Sequence, residues 1–210
     1  VSEIYASYYA FAAVKSDGSV ITWGSIYSGG DSSSVATELS SGVSEIFSTG
    51  PAFAALKEDG SVITWGSQDY GGDSSSVASQ LSSGVIEIFY TDHAFVALKE
   101  DGSVITWGSQ HYGGDSSSVA SQLSSGVIEI YSNTFAFAAV KSDGSVITWG
   151  SQNHGGDSSS VASQISSGVS QIYATDYAFA AVKSDGSVIT WGSQDNGGDS
   201  SSVASQLSSG

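Results

Sequence analysis

The chain has no cysteine, no methionine and no arginine, and only one proline. Its longest apolar run, Tyr8 to Val14, is seven residues. Each of these absences removes a class of protein. Without cysteine there are no disulfides and no thiolate metal sites. An apolar run of seven falls far short of the roughly 20 residues a spanning helix needs, so membrane insertion is not expected. Five lysines face 21 acidic residues, for a formal charge of −16. A surface so charged repels phosphate backbones, and nucleic acid is not an expected partner. No signal-like segment and no initiator Met are present, so the stretch is expected to come from a longer, processed or engineered chain. The compartment is left open, with an extracellular or cell-surface setting favoured.

What the chain does have is one 42-residue unit written five times, at 1–42, 43–84, 85–126, 127–168 and 169–210. Val1, Val43, Val85, Val127 and Val169 open the units, and Gly42, Gly84, Gly126, Gly168 and Gly210 close them. A period near 42 with several short apolar runs per unit points to a propeller or a similar array, one domain over 1–210.

In the second copy, Val43–Phe47 and Ala52–Lys57 suit strands, with a variable tetrad between them. Glu58-Asp59-Gly60-Ser61 reads as a hairpin turn, where glycine accepts a positive φ. Val62–Gly66 is the strongest strand of the unit. Ser74–Ala78 suggests a weak fourth, outer strand, although Ala and Leu also allow a helical turn near Val77 to Leu81. The expectation is an all-β propeller of five four-stranded blades, with the first and last units meeting to close the ring. One Trp per unit (Trp23, Trp65, Trp107, Trp149, Trp191) and one Phe on the strand before it (Phe11, Phe53, Phe95, Phe137, Phe179) are expected between blades.

The run Ala52-Phe-Ala-Ala-Leu-Lys-Glu-Asp-Gly-Ser-Val-Ile-Thr-Trp-Gly66, which recurs with small changes in every unit, resembles the regulator-of-chromosome-condensation repeat. In style it is similar to bacterial members, including a secreted β-lactamase inhibitor protein. The resemblance implies a β-propeller, usually seven-bladed, that binds through loops at one end and shares a scaffold rather than a catalytic site. This chain departs from the family in having five units, in carrying Ala52 and its equivalents where the family often has His, and in writing Gly71-Gly72-Asp73 for a Gly-Gln pattern. No partner-binding residue of the family can therefore be carried over.

The copies disagree in two patches. The first reads Ala6-Ser7-Tyr8-Tyr9, Ser48-Thr49-Gly50-Pro51, Tyr90-Thr91-Asp92-His93, Ser132-Asn133-Thr134-Phe135 and Ala174-Thr175-Asp176-Tyr177. The second reads Tyr27-Ser28, Asp69-Tyr70, His111-Tyr112, Asn153-His154 and Asp195-Asn196. One patch joins strands one and two and the other joins strands three and four, so in an up-and-down sheet both emerge at one end. Their mixture of aromatic and short polar residues is that of a recognition surface. The bland alternative is loop drift. Every residue in the patches can be encoded by a codon ending in a pyrimidine, which looks like the output of a diversity-generating retroelement.

Other chemistry is thinly supported. His93 and His111 share a unit, but with Asp92 they match no zinc spacing, and no metal or cofactor is expected. No Gly-x-Ser-x-Gly elbow occurs and no His recurs in every unit, so no catalytic residue is assigned. Asp31, Asp73, Asp115, Asp157 and Asp199 read as turn-closing side chains rather than calcium ligands. Lys15 and its copies read as solvated partners of turn carboxylates. The expected function is a non-enzymatic binding module with a protein or glycan ligand, with self-association through propeller closure a further possibility. The alternative is a structural or adhesive array, or an engineered repeat scaffold, without a specific ligand.

Overall fold

A computed structural model describes residues 1–208. It contains five antiparallel sheets of three strands each, one per repeat, with the strands in chain order. In the second repeat the strands are Val43–Ser48, Ala52–Lys57 and Val62–Gly66, within a residue of the expected bounds.

The fourth strand does not form. Ser75–Val77 is a 3₁₀ turn, and Leu81 N donates back to Val77 O at 3.2 Å, so the outer segment takes the helical turn that Ala and Leu allowed. Two residues explain why. Gly71 sits at φ 97°, a bend closed to other residues without strain. Asp73 Oδ1 accepts from Ser75 N at 2.9 Å, curling the chain away from an extended course. A single outer-edge bond survives, from Val62 N to Leu81 O at 2.9 Å, and it recurs in the third, fourth and fifth repeats.

Each sheet has a bulky face and a small face because side chains alternate along a strand. In the second repeat Ile46, Phe53, Ala55 and Trp65 turn toward the first repeat, where they meet Ala10, Ala12 and Val14. Ala52, Ala54 and Leu56 turn toward the third repeat and meet Phe95 and Trp107. Phe53 stacks on Trp65 with centroids 5.2 Å apart, and Trp65 Nε1 donates to Gly29 O of the preceding repeat at 3.0 Å. Large residues therefore fill the space that small ones leave, with the one polar atom of the Trp satisfied. The same junction joins repeats three to four and four to five.

Backbone bonds reinforce the junctions at the end carrying the Asp-Gly turns. Val43 N donates to Gly18 O at 3.1 Å, and Glu58 N to Gly42 O at 2.9 Å. Lys57 Nζ donates to Glu38 O of the preceding repeat at 2.9 Å, and Lys99, Lys141 and Lys183 do likewise. These lysines tie repeats together rather than pairing with turn carboxylates.

The expected ring closure is not found. Phe11 and Trp23, the first-repeat equivalents of the buried Phe53 and Trp65, are each 44% exposed. On the last repeat Ala180, Val182 and Val188 are only half-buried. Four junctions set the curvature, and among the described residues the two end faces do not cover each other.

This asymmetry gives a stability test. Trp65→Ala should cost about 3–5 kcal/mol, because it opens a cavity and strands the Gly29 carbonyl. At low protein concentration Trp23→Ala should cost less than about 1.5 kcal/mol, since its site is already open to water. Urea denaturation of the two variants measures the difference.

Candidate functional site

The loops between the first and second strands and the turns after the third strand lie together at one end of every repeat. One side chain of the first patch ties them. Thr49 Oγ1 donates to Tyr70 O at 3.1 Å, Thr91 Oγ1 to Tyr112 O at 3.3 Å and Asn133 Nδ2 to His154 O at 2.7 Å. Ser7 and Thr175 make the equivalent bonds to Ser28 O and Asn196 O. The same group accepts from its own loop: Asn133 Oδ1 takes the N–H of Phe135 and of Ala136, both at 2.8 Å. This position varies only among Ser, Thr and Asn, the short side chains able to donate and accept at such a turn. It is a structural tie that the loops' variability concealed.

The next residue of each loop forms a belt across repeats. Tyr8 N donates to Gly50 O, Gly50 N to Asp92 O, Asp92 N to Thr134 O and Thr134 N to Asp176 O, over 2.6–3.4 Å. Only backbone atoms take part, so the side chain there is unconstrained by the belt. Tyr8 uses that freedom: its ring lies over Gly50, and its hydroxyl donates to Asp92 Oδ2 at 2.8 Å.

Outside the belt runs a continuous band of six rings: Tyr70, His93, Tyr112, Phe135, His154 and Tyr177. Consecutive centroids are 4.4–5.5 Å apart. His93 also stacks on Phe135 at 5.6 Å, and Phe135 on Tyr177 at 5.7 Å. The band alternates between the two variable patches, so residues about 20 apart in sequence become neighbours. Its inner members are half-buried and Tyr177 is exposed. Inside the band, a shallow groove of about 270 Å³ is lined by Tyr90, Asp92, Ser132, Thr134, Ala174 and Asp176, with the tying Thr91, Asn133 and Thr175.

The other expected site residues divide. Ala6, Tyr9, Tyr27, Asp69, His111, Asn153, Asp195 and Asn196 are exposed, and Pro51 is half-buried. Ser48 spends its hydroxyl on Ala6 O at 2.8 Å. Ser28 and Gly50 are corrections: both are buried, Ser28 within its turn and Gly50 beneath Tyr8, and neither can touch a ligand. Among the described residues no three His, Asp or Glu side chains are grouped to hold a metal ion.

Burial among the rings pushes the His93 imidazole below its ordinary pKa, with the Asp92 charge opposing in part. Its Nδ1 is buried without a hydrogen-bond partner. Along the inner strands, burial and then the charges of Glu45 and Glu129 push the Glu87 carboxyl up.

No family model matches the chain, and no curated protein matches it in sequence. Solved structures do. Human WBSCR16 is 18% identical with a TM-score of 0.57, over 90% of this chain and 61% of that one. The ectodomain of the Physcomitrella patens receptor kinase CR4 is 15% identical with a TM-score of 0.53, over 90% and 51%. Yeast RCC1 (Prp20), solved with Kap60 bound, is 14% identical with a TM-score of 0.53, over 90% and 55%. The fold is that of a propeller of the kind RCC1 represents. The chain spans between half and two thirds of the length of these neighbours.

Two outcomes test this site. Asn133→Ala leaves one carbonyl and two N–H groups unpaired and should cost about 1–3 kcal/mol, whereas Asn133→Thr should be nearly neutral; urea denaturation measures both. For His93 the folded pKa lies below the ordinary 6.5. Its stabilising contribution is therefore complete above that value and lost as pH falls through the window beneath it. His93→Phe should flatten the fall in melting temperature as pH drops below about 6.5.

Proposed function

We propose that the chain is a non-enzymatic binding module that engages a protein or glycan through the rim carrying the six-ring band. The band itself carries this reading. The fold spends the Phe–Trp pairs of repeats two to five between blades, so the rings at the rim are additional to the core. They stand on loops whose backbone is satisfied without them. Half-buried aromatic rings beside short polar groups make rigid, wettable anchors.

Charge narrows the partner. All five lysines lie at the opposite end, beside the Asp-Gly turns. The rim offers Asp69, Asp92, Asp176 and Asp195 and, apart from histidine, no cation. Neutral sugars and neutral or basic protein surfaces fit it, the latter aided by cations over ring faces. Anionic ligands do not. The yeast RCC1 structure, with Kap60 bound, is consistent with a protein ligand on such a fold. Differences between repeats at these positions then amount to a diversified face, and a residue set that pyrimidine-ending codons could encode is consistent with a retroelement as its source.

Screening on glycan and protein arrays tests the proposal. A ligand found there should bind at least tenfold more weakly to Phe135→Ala and to His154→Ala, about 1.4 kcal/mol or more. Substitution of Ser61 in the opposite turn should leave affinity unchanged. A ligand that responds to Ser61 and ignores the band would refute the reading.

A further inference from the structure

We infer that the outer grooves between neighbouring repeats bind an extended basic peptide, which pairs with the open edge of the third strand. That edge is open because the fourth strand is begun and abandoned. In the second repeat the outer segment meets the strand through one bond, from Val62 N to Leu81 O, and curls into a 3₁₀ turn at Ser75–Val77. Sheet pairing decides which way the next groups point. Lys57 N donates to Ser61 O and Ser67 N to Pro51 O, so Ser61, Ile63, Trp65 and Ser67 face the second strand. Thr64, between Ile63 and Trp65, turns its N–H and C=O outward, and among the described residues neither has a partner. Yet Thr64 is only 9% exposed, as is its counterpart Thr148. Buried backbone groups are nearly always paired, so this empty rung marks a place where another backbone fits. Thr106 and Thr148 repeat it.

A groove runs along this edge at each of the three junctions joining repeats one to four. The volumes are about 550, 950 and 770 Å³ in chain order. Each groove follows all five residues of its strand and is walled by the outer segments of two adjoining repeats. All three therefore belong to the interior of the array. In the first, Val35 and Ile63 form a half-buried apolar pair; Val77 with Ile105 and Val119 with Ile147 take their places in the others. Carboxylates stand beside these pairs: Asp73 in the first two grooves and Asp115 in the last two. No lysine lines any of the three. Lys57, Lys99 and Lys141 are held on the carbonyl oxygens of Glu38, Gln80 and Gln122.

The occupant follows from these groups. An outward N–H and C=O on one strand residue are matched by the backbone of another extended chain, which adds itself to the sheet edge. Successive side chains of such a chain point to opposite sides. One set meets the Val–Ile pair and the other the carboxylates, so the fitting segment alternates small apolar with basic residues. An acidic segment is repelled by the same carboxylates and by the net charge of −16.

Hydrogen exchange followed by NMR on the whole chain tests the inference, with an N-acetylated octapeptide of alternating Lys and Val as the probe. In the free protein the Thr64, Thr106 and Thr148 amides should exchange faster than those of Ile63, Ile105 and Ile147. Millimolar peptide should slow the three threonine amides at least about tenfold. The same peptide N-methylated at alternate residues keeps its charge but loses the pairing, and should slow them less than twofold. Ala78→Trp fills the first groove from an exposed position without altering charge; it should remove the effect at Thr64 and leave it at Thr148. Should that variant fail to fold, Ala120→Trp serves in the same way for Thr106. Threonine amides as protected as their isoleucine neighbours in the free chain would overturn the inference. So would an absent response at millimolar peptide, or an equal response to both peptides, which would reduce the effect to charge attraction. None of these results bears on the aromatic band, since the grooves lie on the outer side of the blades.

Discussion

The structure depends on one contact made four times: a Phe–Trp pair laid on a glycine, with the indole N–H bonded to that glycine's carbonyl. Everything else in the unit is arranged to present its two halves. The second strand, with Ala first, Ala or Val third and Leu or Val fifth, keeps one face small, and the Val-Ile-Thr-Trp-Gly strand keeps the other bulky. The left-handed glycine brings its backbone against a ring where a Cβ would collide. Burying a Trp removes about 200 Å² from water, worth roughly 5 kcal/mol before entropy losses. A short three-stranded sheet could not stand alone on its own contacts. Cohesion is therefore between neighbours, and stability is a property of the stack.

This arrangement also explains which parts of the unit can differ. The Asp-Gly turn is constant because its carbonyl bonds the first residue of the next repeat, and a Cβ on Gly18 would lie 2.6 Å from Gly42 N. Its constancy is thus enforced by the junction and is no measure of how fast a free loop would drift. At the opposite rim the linkage between repeats is a belt of backbone bonds. A belt that uses no side chain tolerates Tyr, Gly, Asp or Thr at the same place. The one position that must hold the two loops together varies only among Ser, Thr and Asn. Freedom at the rim is therefore produced by the way the scaffold satisfies its polar groups.

The strands, the hairpin turn and the interblade Phe–Trp pairs were legible from alternation, turn chemistry and repetition alone. The outer strand was not. Its Ser-rich stretch has too little apolar patterning to decide between an extended and a turning course, and Gly71 and Asp73 decide it by local geometry. Ring closure was unreadable for a different reason. A repeat period states how one unit meets the next but not the angle between them, and that angle determines whether five units complete a circle. At the rim, the shared end of the two patches followed from strand direction. The stacking of His93 on Tyr112 and Phe135 did not, because it needs the offset between adjacent repeats. Nor did the burial of Ser28 and Gly50, which neighbouring loops impose.

The two ends of each blade have divided the charge between them. Four of the five lysines cross to a carbonyl of the preceding repeat, so most of the few cations of a strongly acidic chain are consumed by cohesion. The rim is left with carboxylates, hydroxyls and rings. Glu45, Glu87 and Glu129 add to the negative field along the inner strands, where burial first and the neighbouring charges second push the Glu87 carboxyl up. On the proposed binding reading, such a field would repel anions before any contact is made and favour basic surfaces for the rings to hold. If the rim binds as proposed, its selectivity by charge comes from the same economy of lysines that joins the repeats.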